Sequence, residues 1–303
     1  MTSAADSAGD PARPDPLRLA ALNELVGTLA LQQEGPDRFR GRNVDIGSPS
    51  VYGGQVLGQA LVAAARTVSG QRVHSLHGYF LRAGDKARPI VYEVERIRDG
   101  GSFAMRRVVA TQDGSTMFFM SASFHRDEPG VEHQSAMPQV PPPEGLRDEH
   151  ESRLALRDQL PGFARAVVDQ VRPIDIRPVE PLHLLTPAIR PPSARTWLRA
   201  AGPLPDEPLV HQALLAYASD YALLAVAMRP HGLSFLQPQV QSVSLDHAMW
   251  FHRDFRFDDW LLYDTDSPSA SGARGFCRGS LFTRDGRLVA SVAQEGLLRL
   301  RTR

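Results

Sequence analysis

Gly53-Gly54-Gln55-Val56-Leu57-Gly58-Gln59-Ala60-Leu61-Val62-Ala63-Ala64-Ala65-Arg66-Thr67-Val68 holds no acid and one charge, Arg66. This small, apolar run predicts a helix, and a helix uncharged on nearly every side has to be covered nearly all round. Residues 210–228 predict a second helix of the same kind, closed by Pro230 and Gly232. Strand-forming runs follow each helix: 73–81, 90–98, 103–111 and 116–125 after the first, then 240–251, 260–265, 276–283 and 288–300 after the second. Asp113-Gly114 and Asp285-Gly286 precede the last run of each set and predict hairpin turns. Ser75-Leu76-His77 and Ser244-Leu245-Asp246-His247 take matching places. The chain therefore reads as an α+β tandem repeat, each half a helix wrapped by an antiparallel sheet. Two such sheets set edge to edge hide strands that would otherwise invite aggregation.

Proline separates the halves. It recurs every few residues from 129 to 208, including Pro141-Pro142-Pro143 and Pro191-Pro192, a density that disfavours long regular elements. Within that zone only residues 151–171 read as helical, broken at Pro161-Gly162. The expected organisation is a disordered Ala/Ser/Asp/Pro-rich tail over 1–16, an N-terminal unit over 17–128, a Pro-rich linker with a helix over 129–170, and a C-terminal unit over 171–303.

Composition excludes several classes of function. In 303 residues, 42% are hydrophobic and 22% charged, enough apolar mass for a real core. Lys+Arg and Asp+Glu are 34 each, so the chain has no electrostatic footprint for nucleic acid or an anionic membrane. Lys86 is the single lysine, which removes a phosphate loop ending in Gly-Lys-Ser/Thr. The single cysteine, Cys277, excludes internal disulfides and cysteine metal clusters and reads as a small buried hydrophobe. The histidines show no His-x-x-x-His spacing, so no metal and no cofactor is expected. No run approaches the ~18 to 20 apolar residues of a membrane span, and the N-terminus lacks signal-peptide order. The chain is read as cytoplasmic, without a membrane partner.

Two residues conflict with their surroundings. Between 212 and 228 Asp220 is the only carboxylate, with no Lys, Arg or His beside it. A carboxylate on an apolar face costs several kcal/mol unless it is hydrogen-bonded or has a raised pKa, which makes Asp220 a general-base candidate. The alternative is a helix kink or cap satisfied by local backbone, with Ser219 helping. Alternation along 288–295 places Gln294 on the face of Leu288, Ala290 and Val292, where its amide either orients a water or bonds a neighbouring backbone group. Ser244 offers a hydroxyl on the first strand of that half. Ser244, Asp246 and His247 resemble a triad only when read linearly, because strict alternation sends neighbouring side chains to opposite faces. Gly53 to Gly58 fails the dinucleotide spacing at Gln55, and its glycines are expected to let the helix start pack closely on sheet backbone.

At these positions a family resemblance emerges. Val51-Tyr52-Gly53-Gly54-Gln55-Val56-Leu57-Gly58-Gln59-Ala60, then Val73-His74-Ser75-Leu76-His77-Gly78-Tyr79-Phe80-Leu81-Arg82, then Glu95-Arg96-Ile97-Arg98-Asp99-Gly100-Gly101-Ser102-Phe103, resembles the first half of bacterial acyl-CoA thioesterase II. Tyr217-Ala218-Ser219-Asp220, Leu245-Asp246-His247-Ala248-Met249-Trp250-Phe251-His252-Arg253, the segment 267–275 and Val292-Ala293-Gln294-Glu295-Gly296 continue it in order. The resemblance implies a double hotdog fold, two tandem helix-wrapped sheets. It also implies hydrolysis of medium- or long-chain acyl-CoA to free fatty acid and CoA, without metal or covalent intermediate, in a homodimer or homotetramer. The implied catalytic trio is Asp220, Ser244 and Gln294, with serine where relatives carry threonine; serine keeps the hydroxyl but lacks the methyl that restricts its rotamer. Because the first helix offers no acid, one active site per chain is expected. Alternatives are a hotdog enoyl-CoA hydratase, whose paired Asp and His the nine-residue gap from His211 to Asp220 does not match, and a non-catalytic acyl-CoA binder. The turn over 267–275 reads either as a contact for CoA phosphates or as a plain connection.

Overall fold

The computed structural model describes residues 15–181, 185 and 187–301. Residues 1–14 of the expected tail lie outside that description; Asp15 and Pro16 are ordered as a helix start. The Asp15 carboxylate accepts the Leu17 N–H and caps α1 (Pro16–Leu29). The chain continues through β1 (Gln32–Gly35), β2 (Arg38–Gly41), α2 (Gly53–Ala65), β3 (Arg72–Phe80), β4 (Ile90–Asp99), β5 (Phe103–Gln112) and β6 (Ser115–His125). The proline zone holds α3 (Glu149–Leu154), α4 (Gly162–Val168), β7 (Ile174–Pro178) and β8 (Ser193–Ala200). The second half follows with α5 (Pro208–Ser219), α6 (Ala225–Met228), β9 (Val240–Ser244), β10 (Asp246–Phe251), β11 (Leu261–Ser271), β12 (Arg274–Thr283) and β13 (Leu288–Leu300).

One antiparallel sheet joins the halves in the order β1-β2-β4-β5-β6-β3-β10-β13-β12-β11-β8-β7, with β9 also paired to β13. The seam is β3 against β10, with Leu76 opposite Met249. Each half wraps its helix: α2 packs on β2 to β6, and α6 on β11 and β12. This is the double hotdog that the sequence led us to expect. The linker is more than a tether. The Trp197 indole N–H donates to Pro141 O at 2.9 Å, and Met137, Val140 and Leu146 pack on Trp197, Trp260, Leu262 and Phe282, covering part of the C-terminal sheet.

Several elements differ from the sequence reading. Two strands, β7 and β8, occupy the proline zone; β7 is the sheet edge and ends on Pro178, where a missing N–H breaks no ladder. The helix expected over 210–228 stops at Ser219 and resumes at Ala225, with Ala222 between them at φ 59°. The strand expected over 240–251 is interrupted at Leu245. The segment 267–275 is no loop but the β11–β12 hairpin, turning at Gly272 and Ala273 with φ of 56° and 59°.

The glycines of α2 face a helix, not the sheet backbone. A Cβ on Gly54 would lie 2.3 Å from Tyr217 O, and one on Gly58 would lie 2.9 Å from Ala213 O. The two contacts, four residues apart on each helix and in opposite order, show that α2 and α5 run antiparallel with their backbones touching. Gly58→Ala should therefore push the helices apart and cost about 1–3 kcal/mol, the usual range for overpacking. Urea unfolding that found the variant as stable as wild type would contradict this contact.

Candidate active site

The site forms where α5 ends. The last four carbonyls of a helix have no partner within it, and here each is satisfied differently. Ala216 O accepts the Ser219 hydroxyl at 2.9 Å, and Tyr217 O accepts the Tyr52 hydroxyl at 3.0 Å. Ala218 O accepts the Tyr221 N–H at 3.0 Å, and Ser219 O accepts the Tyr263 hydroxyl at 2.9 Å. Burial pushes the Tyr52 and Tyr263 phenols well up, so both stay protonated and able to donate. Asp220 is the residue that follows, with α-helical φ and ψ of −78° and −9°.

A carboxylate at a helix C-terminus faces the negative end of that helix. The start of α2 offsets this: Asp220 accepts the Gly54 N–H, and the close helix contact sets a Gly53 Cβ position only 2.9 Å from Asp220 Oδ2. The other ligands come from the sheet. Gln294 Nε2 donates to Asp220 Oδ1 at 2.7 Å and to Ser244 Oγ at 2.8 Å, and Ser244 Oγ lies 3.5 Å from Asp220 Oδ1. Asp220, Ser244 and Gln294, far apart in sequence, thus converge on one point. Burial pushes the Asp220 carboxyl up to about 6 from 3.8, against the opposing hydrogen bonds from Gln294, Gly54 and Ser244. Gln294 Oε1 is buried and makes no hydrogen bond among the described residues.

A one-residue bulge aims the β9–β10 run. Gly296 pairs with Ser244 while Ala293 pairs with Ala248, so three residues of one strand stand opposite two of the other. The extra residue reverses the alternation. Ser244 and His247 both turn inward, and Asp246 turns away to accept the Glu295 N–H at 2.6 Å and to meet His77 Nε2 at 3.0 Å. The linear Ser-Asp-His triad is therefore not assembled. His247, fully buried, places Nε2 2.9 Å from Ser219 Oγ and Nδ1 3.9 Å from Asp220 Oδ1. Sequence reasoning missed Tyr52, Gly54, His247 and Tyr263 as parts of this site and named Ser219 only as a helper of a local cap, the role its bond to Ala216 O gives it. The pair Gly53-Gly54 directly after Tyr52 was the available signal for the others at the α2 start.

Beyond Tyr221 and Ala222 lies a cavity of about 250 Å³, lined by Leu198, Leu223, Val226 and Met228 and also by charged side chains such as Glu180, Arg195 and Arg229. Among the described residues no group of three or more His, Cys, Asp or Glu could hold a metal.

Residues 41–125 match the acyl-CoA thioesterase N-terminal domain family, and residues 181–297 match the acyl-CoA thioesterase family. Human acyl-coenzyme A thioesterase 8 is 41% identical over 97% of this chain and 92% of its own length. Acyl-CoA thioesterase 2 of Haemophilus influenzae is 37% identical over 92% of this chain and 98% of its own. The crystal structure of an acyl-CoA thioesterase II from Mycobacterium marinum superposes with a TM-score of 0.75 at 42% identity, covering 92% of this chain and 99% of that one.

The raised Asp220 pKa has a consequence for stability. Folding favours the protonated carboxyl, so its stabilising contribution is present below about 3.8 and is lost as pH rises through about 6. Asp220→Asn does not titrate. Its stability relative to wild type should rise between pH 4 and 7, by on the order of 3 kcal/mol for a shift of this size. Chemical denaturation at several pH values measures this; a difference that shrinks with rising pH would refute it.

Proposed function

This chain belongs to the acyl-CoA thioesterase II family, and from that membership we propose that it hydrolyses acyl-CoA at the Asp220–Ser244–Gln294 cluster. The observation that carries the reading is the buried carboxylate with a pKa pushed up to about 6 and held by Gln294 and Ser244. A base of that strength is mostly ionised at neutral pH, so it is available there, and it accepts a proton more readily than an ordinary carboxylate. Asp220 takes the proton of a water whose oxygen attacks the thioester carbon. Gln294 and Ser244 orient that water, Gln294 Oε1 being unpartnered beside them. The Gly53 N–H at the start of α2 serves the developing oxyanion. The carbon–sulfur bond then breaks, and free acid and CoA leave. The cavity beyond Tyr221 and Ala222, with Leu198, Leu223, Val226 and Met228 in its lining, supports a place for the acyl chain next to the cluster, and the family resemblance favours medium- or long-chain substrates.

A hydratase is not favoured. His211 is committed to structure, with Nε2 3.1 Å from Pro205 O and Nδ1 accepting the Phe257 N–H at 2.9 Å. A non-catalytic binder would have no use for a costly buried carboxylate with its donors intact.

Purified protein incubated with an acyl-CoA chain-length series and EDTA, with thiol release followed by a thiol reagent, tests the reading. Turnover should persist in the chelator and favour medium or long chains. Asp220→Asn should lose about 10²- to 10⁴-fold, as expected for loss of a general base. Gln294→Ala should lose on the order of 10²-fold. Ser244→Ala should be the mildest, and Ser244→Thr should stay active. A fully active Asp220→Asn overturns the mechanism.

We also propose that the chain works in the cytoplasm as a homodimer or homotetramer. The single thiol is buried, and the outer sheet face exposes Tyr79, Phe103, Met105, Trp250 and Phe276, which supports association through that face. Light scattering should return a multiple of the 303-residue chain mass; the monomer mass alone would refute the assembly.

A further inference from the structure

His247 is a fully buried titratable side chain at the site that the mechanism above does not use, and its hydrogen bonds define its tautomer. Ser219 has a single hydroxyl hydrogen. Ala216 O, an orphan carbonyl of the α5 terminus 2.9 Å away, needs it, while the other acceptor in reach is the weak Met249 Sδ at 3.3 Å. Ser219 Oγ must then accept from His247, so Nε2 carries the hydrogen of the neutral ring. Nδ1 is left as a bare lone pair. It is buried, makes no hydrogen bond among the described residues, and lies 3.9 Å from Asp220 Oδ1.

A lone pair facing a carboxylate is repelled; a carboxylic acid there offers it an O–H, and closing the 3.9 Å gap to hydrogen-bonding distance takes a side-chain shift of about 1 Å. We propose that His247 is a positioning residue whose Nδ1 receives the O–H of Asp220 once the carboxylate has taken a proton from water. The inference rests on the reading of Asp220 as the base. The proton balance is simple: water gives one proton to Asp220 and its oxygen to the thioester carbon. That proton stays on Asp220, hydrogen-bonded to Nδ1, until it passes to the departing sulfur. The imidazole neither gains nor loses a proton, in keeping with the strong downward push that burial gives its pKa, to about 3.

The other titratable groups acting on the pair are few. Tyr52 at the start of α2, Tyr217 on α5 and Tyr263 on β11 face Asp220, and burial keeps all three phenols neutral. His77 on β3 acts on His247 from a position beside Asp246. The acid limb of the rate profile therefore reports Asp220 with Nδ1 beside it.

The experiment compares pH profiles of kcat/KM and melting temperatures for wild type, His247→Gln, His247→Asn, Ser219→Ala and Asp220→Asn. A glutamine amide reaches the Nε2 position and keeps a partner for Ser219 but removes the Nδ1 lone pair. An asparagine amide reaches the Nδ1 position and loses Ser219. The expected result for His247→Gln is an acid limb about one pH unit lower, a shift typical of losing one neighbouring group, with kcat down about tenfold. Ser219→Ala frees the tautomer, lets Nδ1–H face the carboxylate, and should lower the limb in the same direction. His247→Asn should melt at a lower temperature yet hold the limb closer to wild type than glutamine does. An unmoved limb in both His247→Gln and Ser219→Ala, with only melting temperature changed, overturns the proposal while leaving Asp220 as the base. An active Asp220→Asn removes the base itself, and the proposal falls with it.

Discussion

The structure depends on one contact, the backbone-to-backbone approach of the α2 start to the α5 end. A Cβ at Gly54 would stand 2.3 Å from Tyr217 O, so no other residue permits it without displacing a helix. Through that gap the positive end of α2 reaches Asp220 at the negative end of α5. The carboxylate is thereby kept charged enough to accept a proton and buried enough to have an affinity for one. Separating the helices by a methyl group would both break the shared core and remove a donor from the carboxylate. Folding and the proposed chemistry therefore rely on the same few atoms.

The second constraint is the bulge between β9 and β10. Without the extra residue, alternation would put Ser244 and His247 on opposite faces, and only one could reach Asp220. With it, both turn inward, and Asp246 is released to hold Glu295 N–H and His77 on the outside. Gln294 stands on β13 between the two paired segments, so the bulge and the amide are placed by the same strand. A sheet seam that joins the two halves, β3 to β10, directly adjoins this run, so assembly of the double fold and assembly of the site cannot be separated.

Much of this was legible in the sequence, for identifiable reasons. Uncharged helices and Asp-Gly turns report long-range burial and local geometry directly, so both halves and most strands could be read. Asp220 and Gln294 stood out because a polar group on an apolar face conflicts with its surroundings. What stayed hidden depends on distant partners. No glycine or proline marks the end of α5 at Ser219; Ser219 and Tyr221 satisfy two of its carbonyls locally, but the other two need the hydroxyls of Tyr52 and Tyr263, and the break is absorbed at Ala222. A bulge leaves no trace in composition, and the short strands β1, at the sheet edge, and β2 beside it carry too little apolar pattern to register. In the proline zone, density concealed β7 and β8 because an edge strand tolerates the very residue that excludes a central one.

The two halves share a fold but not a task, and the helices show why. Helix α2 carries two buried glutamines and no acid, whereas α5 leads directly into Asp220. Gln55 bonds Asn43 and Val44 N–H, and Gln59 bonds Thr28 O, Arg42 O and the Tyr92 hydroxyl, so both amides are consumed in fastening loops to the helix. With those groups satisfied, α2 has no free amide and no acid to offer a substrate; what it contributes is a helix start without a side chain in the way. The second half supplies the carboxylate but, at a helix C-terminus, cannot supply the N–H that steadies it. Each half lacks what the other provides: the proposed site joins one acid at the end of α5 to one glycine pair at the start of α2.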